Sequence, residues 1–101
     1  MCSGQVSVDE NGEPLHAGDM IAQVDQALDN LETVLKQAGF KLSDVVRLTY
    51  YTTDVDAFIA AAGEGGHRLA KAGCRPASTL LGVARLFHPE VLVEIEATAM
   101  A

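Results

Sequence analysis

Apolar positions change their spacing several times along this chain, and each change marks an element. Ile21, Val24, Leu28, Leu31 and Leu35 recur at steps of three and four, the period of one helix face. Asp19 stands near the start of that run and Gly39 just past its end. The spacing therefore predicts a helix over 19–38 whose apolar stripe needs a sheet to lie on. Before it, CSGQVSV over 2–8 reads as a short strand entering the polar turn DENGEP, where Asn11-Gly12 is a strong turn signal. After it, VVRLTYYTT over 45–53 is rich in β-branched and aromatic residues and predicts a strand, and Asp54 then caps a second helix reaching about Ala72. Gly63, Gly65 and Gly66 inside that helix each cost about 1 kcal/mol relative to alanine, which predicts a break or a close helix approach near residue 65. STLLGVARL over 78–86 and the segment 91–100 read as two strands joined through His88-Pro89-Glu90 by a hairpin turn.

The order is strand, helix, strand, helix, strand, strand. Two helices cover one face of such a sheet, so the other face is either solvated or buried against a second copy. In the last strand Val91, Val93, Ile95, Ala97 and Ala99 point one way, and Leu92, Glu94, Glu96 and Thr98 the other. The first face is core. The second mixes apolar and acidic groups, and Leu80 is expected to join Leu92 and Glu94 on it. Glu94 and Glu96 read either as solvated or salt-bridged acids, with Arg47 or Arg85 as partners, or as carboxylates in a cleft that orient water or accept a proton. Composition favours the first reading; position between subunits raises the second.

With 101 residues, about half of them apolar, the chain reads as one folded domain over 1–101 with little stability to spare. A net charge of −7 and seven scattered basic residues argue against nucleic acid as partner, because phosphate-backbone binding depends on clustered Lys and Arg. No stretch approaches a membrane span and no basic leader precedes an apolar core. Cys2 and Cys74 read as reduced thiols, which together with the missing leader points to the cytoplasm. His16, His67 and His88 lack the paired spacing of metal sites and read as surface residues. GEGG follows no strand and carries an acid, so it makes a poor phosphate loop, and no serine sits in a G-x-S-x-G elbow. The carboxylates are what remains.

The segments SGQVSVD, AQVDQALDNLETVLKQAG, SDVVRLTYYTTD, RPASTLLGVARL and VLVEIEATA resemble the Rid family of reactive-intermediate deaminases, also called YjgF, over essentially the whole chain. The resemblance implies an α/β (α+β) protomer with a chorismate-mutase-like mixed sheet and two helices on one face. It further implies a homotrimeric barrel, with small-molecule metabolite sites in the clefts between subunits and no metal or cofactor. It places Glu94 at the family's water-positioning glutamate and Ser3 at the serine of its SGQ segment. In deaminating members an arginine follows the Pro-Ala of the third-strand motif and holds the substrate carboxylate; here Pro76-Ala77 leads to Ser78. Leu80 stands where the family often has a small thiol residue. Serine cannot copy the bidentate grip of arginine, a loss of about a hundredfold or more in rate. Arg75 is the nearby substitute, three residues before Ser78. The family also has a further strand before the SGQ segment, which this chain is expected to lack.

Two function classes follow. In one, Glu94 serves hydrolysis or transformation of a small imine, enamine or related carbonyl metabolite outside the usual 2-imino acids, with Ser78, Leu80, Ser3 and Arg75 contacting substrate. In the other, a trimer binds a small metabolite without turnover. Endoribonuclease activity, attached to some relatives, fits worst with the acidic charge.

Overall fold

The computed structural model describes residues 2–100, and for 2–4, 64 and 65 only the course of the chain. The elements are β1 (Cys2–Val6), α1 (Met20–Gln37), a short 3-10 turn (Leu42–Asp44), β2 (Val45–Thr52), α2 (Val55–Lys71), β3 (Ala77–Gly82) and β4 (Val93–Ala99). Both helices start as the sequence predicts. The Asp19 carboxylate accepts from the Ala22 amide at 3.0 Å, and the Asp54 carboxylate from the Ala57 amide at 3.1 Å. Gly39, at φ +85°, takes the left-handed turn that ends α1.

The sheet runs in the order β1-β4-β2-β3. Here the expected hairpin fails. β3 lies parallel to β2 at one edge, whereas β4 crosses over and pairs antiparallel with both β1 and β2. The sheet side of β2 explains this, since the central position gives Val93, Ile95 and Ala97 full burial that an edge strand would not. The expected break in α2 is also absent, because the helix runs unbroken through its glycines. Gly63 and Gly66 face open space rather than a close neighbour. Packing decides: Phe58, Ala61 and Leu69 are buried, and Arg68 reaches three carboxylates of α1, Asp25 and Asp29 at 2.6 Å and Glu32 at 2.7 Å. Burial opposes the charge on Arg68, but the hydrogen bonds it donates to Glu32, Asp29 and Asp25 outweigh it and raise its pKa above the ordinary arginine range.

The core joins Met20, Val24, Ala27, Leu28, Leu31 and Leu35 of α1 to Leu48, Val93, Ile95 and Ala97 of the sheet. Ile21, expected on the buried stripe, is 50% exposed; Met20, four residues before Val24, takes its slot. Gln23 also sits on the stripe and is fully buried. Its side-chain amide donates to the carbonyls of Glu90 (2.7 Å) and His16 (3.2 Å), and its oxygen accepts from the Leu92 amide (2.8 Å). Asn30 likewise donates to the carbonyls of Val6 and Val8, fastening the end of β1 to α1.

Tyr50 packs against Phe58 with ring centroids 5.0 Å apart. Burial, with a smaller contribution from Cys74, pushes its phenol up to about 12. A folded-state pKa above that of the unfolded phenol, roughly 10, means that the neutral form stabilises the fold below that pH and that the contribution is lost as pH rises through the folded value. The denaturation midpoint is expected to fall between about pH 10 and 12, by up to about 2–3 kcal/mol in free energy. Tyr50→Phe should flatten that fall in urea titrations at stepped pH; an identical profile in the variant would remove Tyr50 as its source.

Candidate functional site

Residues directly opposite each other in neighbouring strands project to the same face. The register therefore sorts the candidates. Glu94 lies opposite Tyr51, which lies opposite Leu81; Glu96 faces Thr49 and then Thr79; Thr98 faces Arg47 and then Ala77. These rows form the face away from the helices. It is half-apolar, with Tyr51 half-buried and Leu81 44% exposed.

Ile95, Tyr50 and Leu80 form a row on the opposite, helix-bearing face, and Ala97, Leu48 and Ser78 form the next. Leu80 consequently packs against the core, and Leu92 does so as well. The expectation that Leu80 shares the open face with Glu94 is corrected: Leu80 alternates with Leu81, and it is Leu81 that faces outward. Ser78 is exposed at the sheet edge. It lies three residues from the Glu94 row, about 10 Å along the strand, and on the other face. Arg75, exposed before the start of β3, lies six residues from that row, about 20 Å away. Within one chain, neither can share a small ligand with Glu94. Ser3 lies in β1, but its side chain is outside the described residues.

Glu94 and Glu96 are half-buried, about 7 Å apart along one strand. Neither makes an ion pair or side-chain hydrogen bond among the described residues; Arg47 shares their face without pairing, and Arg85 does not reach them. Among the described residues no group of three His, Cys, Asp or Glu side chains could hold a metal ion, and no helix is long and apolar enough to cross a membrane. A cleft of about 750 Å³ lies between the helices, lined by Asp19, Ile21, Asp25, His67, Arg68 and Lys71. Volume alone does not make it the site: Arg68 is spent on three acids, and Glu94 lies on the far side of the sheet.

The sheet with its two helices, and the position of its acidic strand, can be set against known proteins. The family model for endoribonuclease L-PSP matches residues 1–101. The chain belongs to the Rid (YjgF) family. Among curated Rid relatives, the 2-iminobutanoate/2-iminopropanoate deaminase of Escherichia coli K12 is 35% identical over 100 residues, covering 97% of this chain and 76% of the relative. A RutC family protein of Pyrococcus horikoshii is 32% identical over 97 residues, covering 96% and 75%. Of solved structures, the E. coli YjgF gene product superposes with a TM-score of 0.84 at 33% identity, over 96% of this chain and 76% of that one. A Rid-family protein of Yersinia pestis gives 0.83 at 37%, over 98% and 75%. The Rid fold is thereby established, including the insertion of β4 between β1 and β2 that sequence reasoning replaced by a hairpin.

Sequence reasoning also missed Gln23 and Asn30, which hold β4 and β1 in place. Their positions on the buried side of α1 were readable from the helical period, had polar residues been admitted to the stripe.

Proposed function

We propose that this Rid-family chain hydrolyses a small imine or enamine at a cleft between subunits of a homotrimer, and that its substrates lie outside the typical 2-imino acids. The observation that carries the reading is Glu94, a half-buried carboxylate without an ion-pair or side-chain hydrogen-bond partner among the described residues, on an open sheet face that also carries Tyr51 and Leu81. Such a group can orient water and take its proton as the oxygen adds to the imine carbon; collapse of the carbinolamine then releases the carbonyl product and ammonia. No metal or cofactor is needed for that sequence. The distance between Ser78 and Glu94 supports a site drawn from two chains, one giving the acid and the other the edge of β3. Ser78, standing where the deaminating members carry their arginine, favours uncharged substrates.

Ser78 also favours a second reading, a trimer that holds a metabolite without turning it over. Endoribonuclease activity is the weakest reading, since the face that carries Glu94 and Glu96 offers Arg47 as its basic residue among those described. Imines generated in place, with and without a carboxylate, separate the first two: hydrolysis of the neutral imine is expected, and activity on neither class selects the binding module. Light scattering is expected to give a trimer, and a clean monomer at micromolar concentration would remove the intersubunit site.

The double change Ser78→Arg with Leu80→Cys offers a stricter trial. It restores a guanidinium for a substrate carboxylate, and hydrolysis of 2-imino acids is expected to rise at least about tenfold, equivalent to about 1.4 kcal/mol of transition-state stabilisation. Because Leu80 packs on the core, the exchange costs about 1–3 kcal/mol of stability and its fold must be checked by circular dichroism. A folded trimer without imino-acid hydrolysis would show that the site has diverged from the deaminases by more than one side chain, and would favour the binding module.

A further inference from the structure

Strands β2 and β3 run parallel and end together at Thr52 and Gly82, and the chain then crosses over through residues 83–92 to β4. At that end lies a cavity of about 520 Å³, lined among others by Thr53, Arg85, Leu86, Phe87, His88 and Val91. The carboxyl ends of parallel strands are where open α/β sheets take their ligands, and the volume suits a small molecule.

The crossover is held firmly at both ends. The Val83 amide donates to the Thr52 carbonyl at 2.8 Å and the Val91 amide to the His88 carbonyl at 3.0 Å. Thr52 Oγ1 donates to the Leu92 carbonyl at 2.7 Å, and Gln23 fixes Glu90 and Leu92. Between these anchors, none of the amides from Ala84 to His88 donates to a protein acceptor among the described residues. Arg85 makes no ion pair among them either. His88 Nδ1 accepts from the Glu90 amide at 3.1 Å, which puts the proton of the neutral ring on Nε2 and leaves that nitrogen as a donor. Phe87, with its ring centroid 6.1 Å from that of His88, is 61% exposed. Neighbouring acids do not cancel this set: Asp54 is turned into its own helix cap, and neither Asp54 nor Glu90 lines the cavity.

We propose that this cavity binds a small ligand bearing an oxyanion, a phosphate ester or a carboxylate, through Arg85, His88 Nε2 and the unpaired amides of the crossover, with the apolar part of the ligand against Phe87. A guanidinium, an imidazole and a run of free amides lie on one loop, and the bracing of that loop at both ends limits the backbone ordering needed on binding. The aromatic ring explains itself in the same way, as the wall for an organic group rather than an exposed apolar residue without purpose. The site is independent of the imine reading and needs neither Glu94 nor Ser78.

Amide NMR of the full chain at constant ionic strength tests it, with inorganic phosphate, acetate and phenyl phosphate as probes. Saturable shifts are expected in the amides of residues 84–88, Glu90, Val91 and Thr53. Arg85→Gln should weaken binding at least about tenfold and Arg85→Lys, which keeps the charge but loses the fork, by less. Lys71→Gln removes the same charge elsewhere and should leave affinity unchanged. Preference for phosphate assigns a phosphate ester, and acetate binding as tightly or more tightly assigns a carboxylate. Phenyl phosphate should exceed phosphate severalfold, with the gain lost in Phe87→Ala. Absence of a saturable response to all three probes, or equal weakening by Arg85→Gln and Lys71→Gln, overturns the site; a phenyl group that adds nothing overturns the role of Phe87.

Discussion

Replacing Gln23 by leucine is expected to destabilise the fold by about 3–5 kcal/mol, a large share of the roughly 5–15 kcal/mol that holds a small domain together. The change keeps side-chain size but strips three hydrogen bonds from a fully buried position. The Leu92 amide and the Glu90 carbonyl lose their partners, and each unsatisfied group costs about 1–3 kcal/mol. The measurement is urea denaturation, where the midpoint should drop with little change in slope. Gln37→Leu, at an exposed position near the end of α1, should shift stability by no more than about 0.5 kcal/mol. If Gln23→Leu cost less than about 1 kcal/mol, water or a shifted crossover would have to serve the orphaned groups, and Gln23 would not be the brace described here.

Glu94→Gln is expected to lower imine turnover about a hundredfold or more, the range by which positioned acid–base groups accelerate reactions. Glutamine keeps the size and polarity of the side chain while removing the ionised acceptor. Because Glu94 makes no ion pair among the described residues, stability should move by less than about 1 kcal/mol. Glu96→Gln, on the same face beside Thr49, should affect rate only slightly. Steady-state kinetics on the neutral imine, read as kcat and KM separately, make the comparison. Equal and small effects of the two changes would reduce the pair to a solvated stripe.

The helices were legible because their evidence is local. Asp19, Asp54 and the three-and-four spacing of Val24, Leu28, Leu31 and Leu35 lie within a few turns of one another, and the caps form as the residues dictate. The alternation in β4 was equally plain, with Val93, Ile95 and Ala97 buried and Glu94 and Glu96 turned outward. Strand partners were not legible. His88-Pro89-Glu90 has the composition of a turn, yet whether β4 folds back on β3 or travels to β2 is decided by burial far away in sequence. That error carried into the site. Leu80 went to the wrong face because β3 is short and apolar at two successive positions, Leu80 and Leu81, so alternation alone left its register open. The glycines of α2 misled through a true cost that tertiary packing exceeds.

The order of the strands also bears on how the protein comes to be folded. Among the described strands, each pairing joins segments far apart in sequence, and β4, last of them to be synthesised, fills the gap between β1 and β2. Until it arrives, β1 has no partner among the described strands, and the apolar side of α1 covers half a sheet. The nascent chain must therefore wait as an incomplete layer with its edges open, the state in which small α/β proteins are most prone to chaperone capture and aggregation.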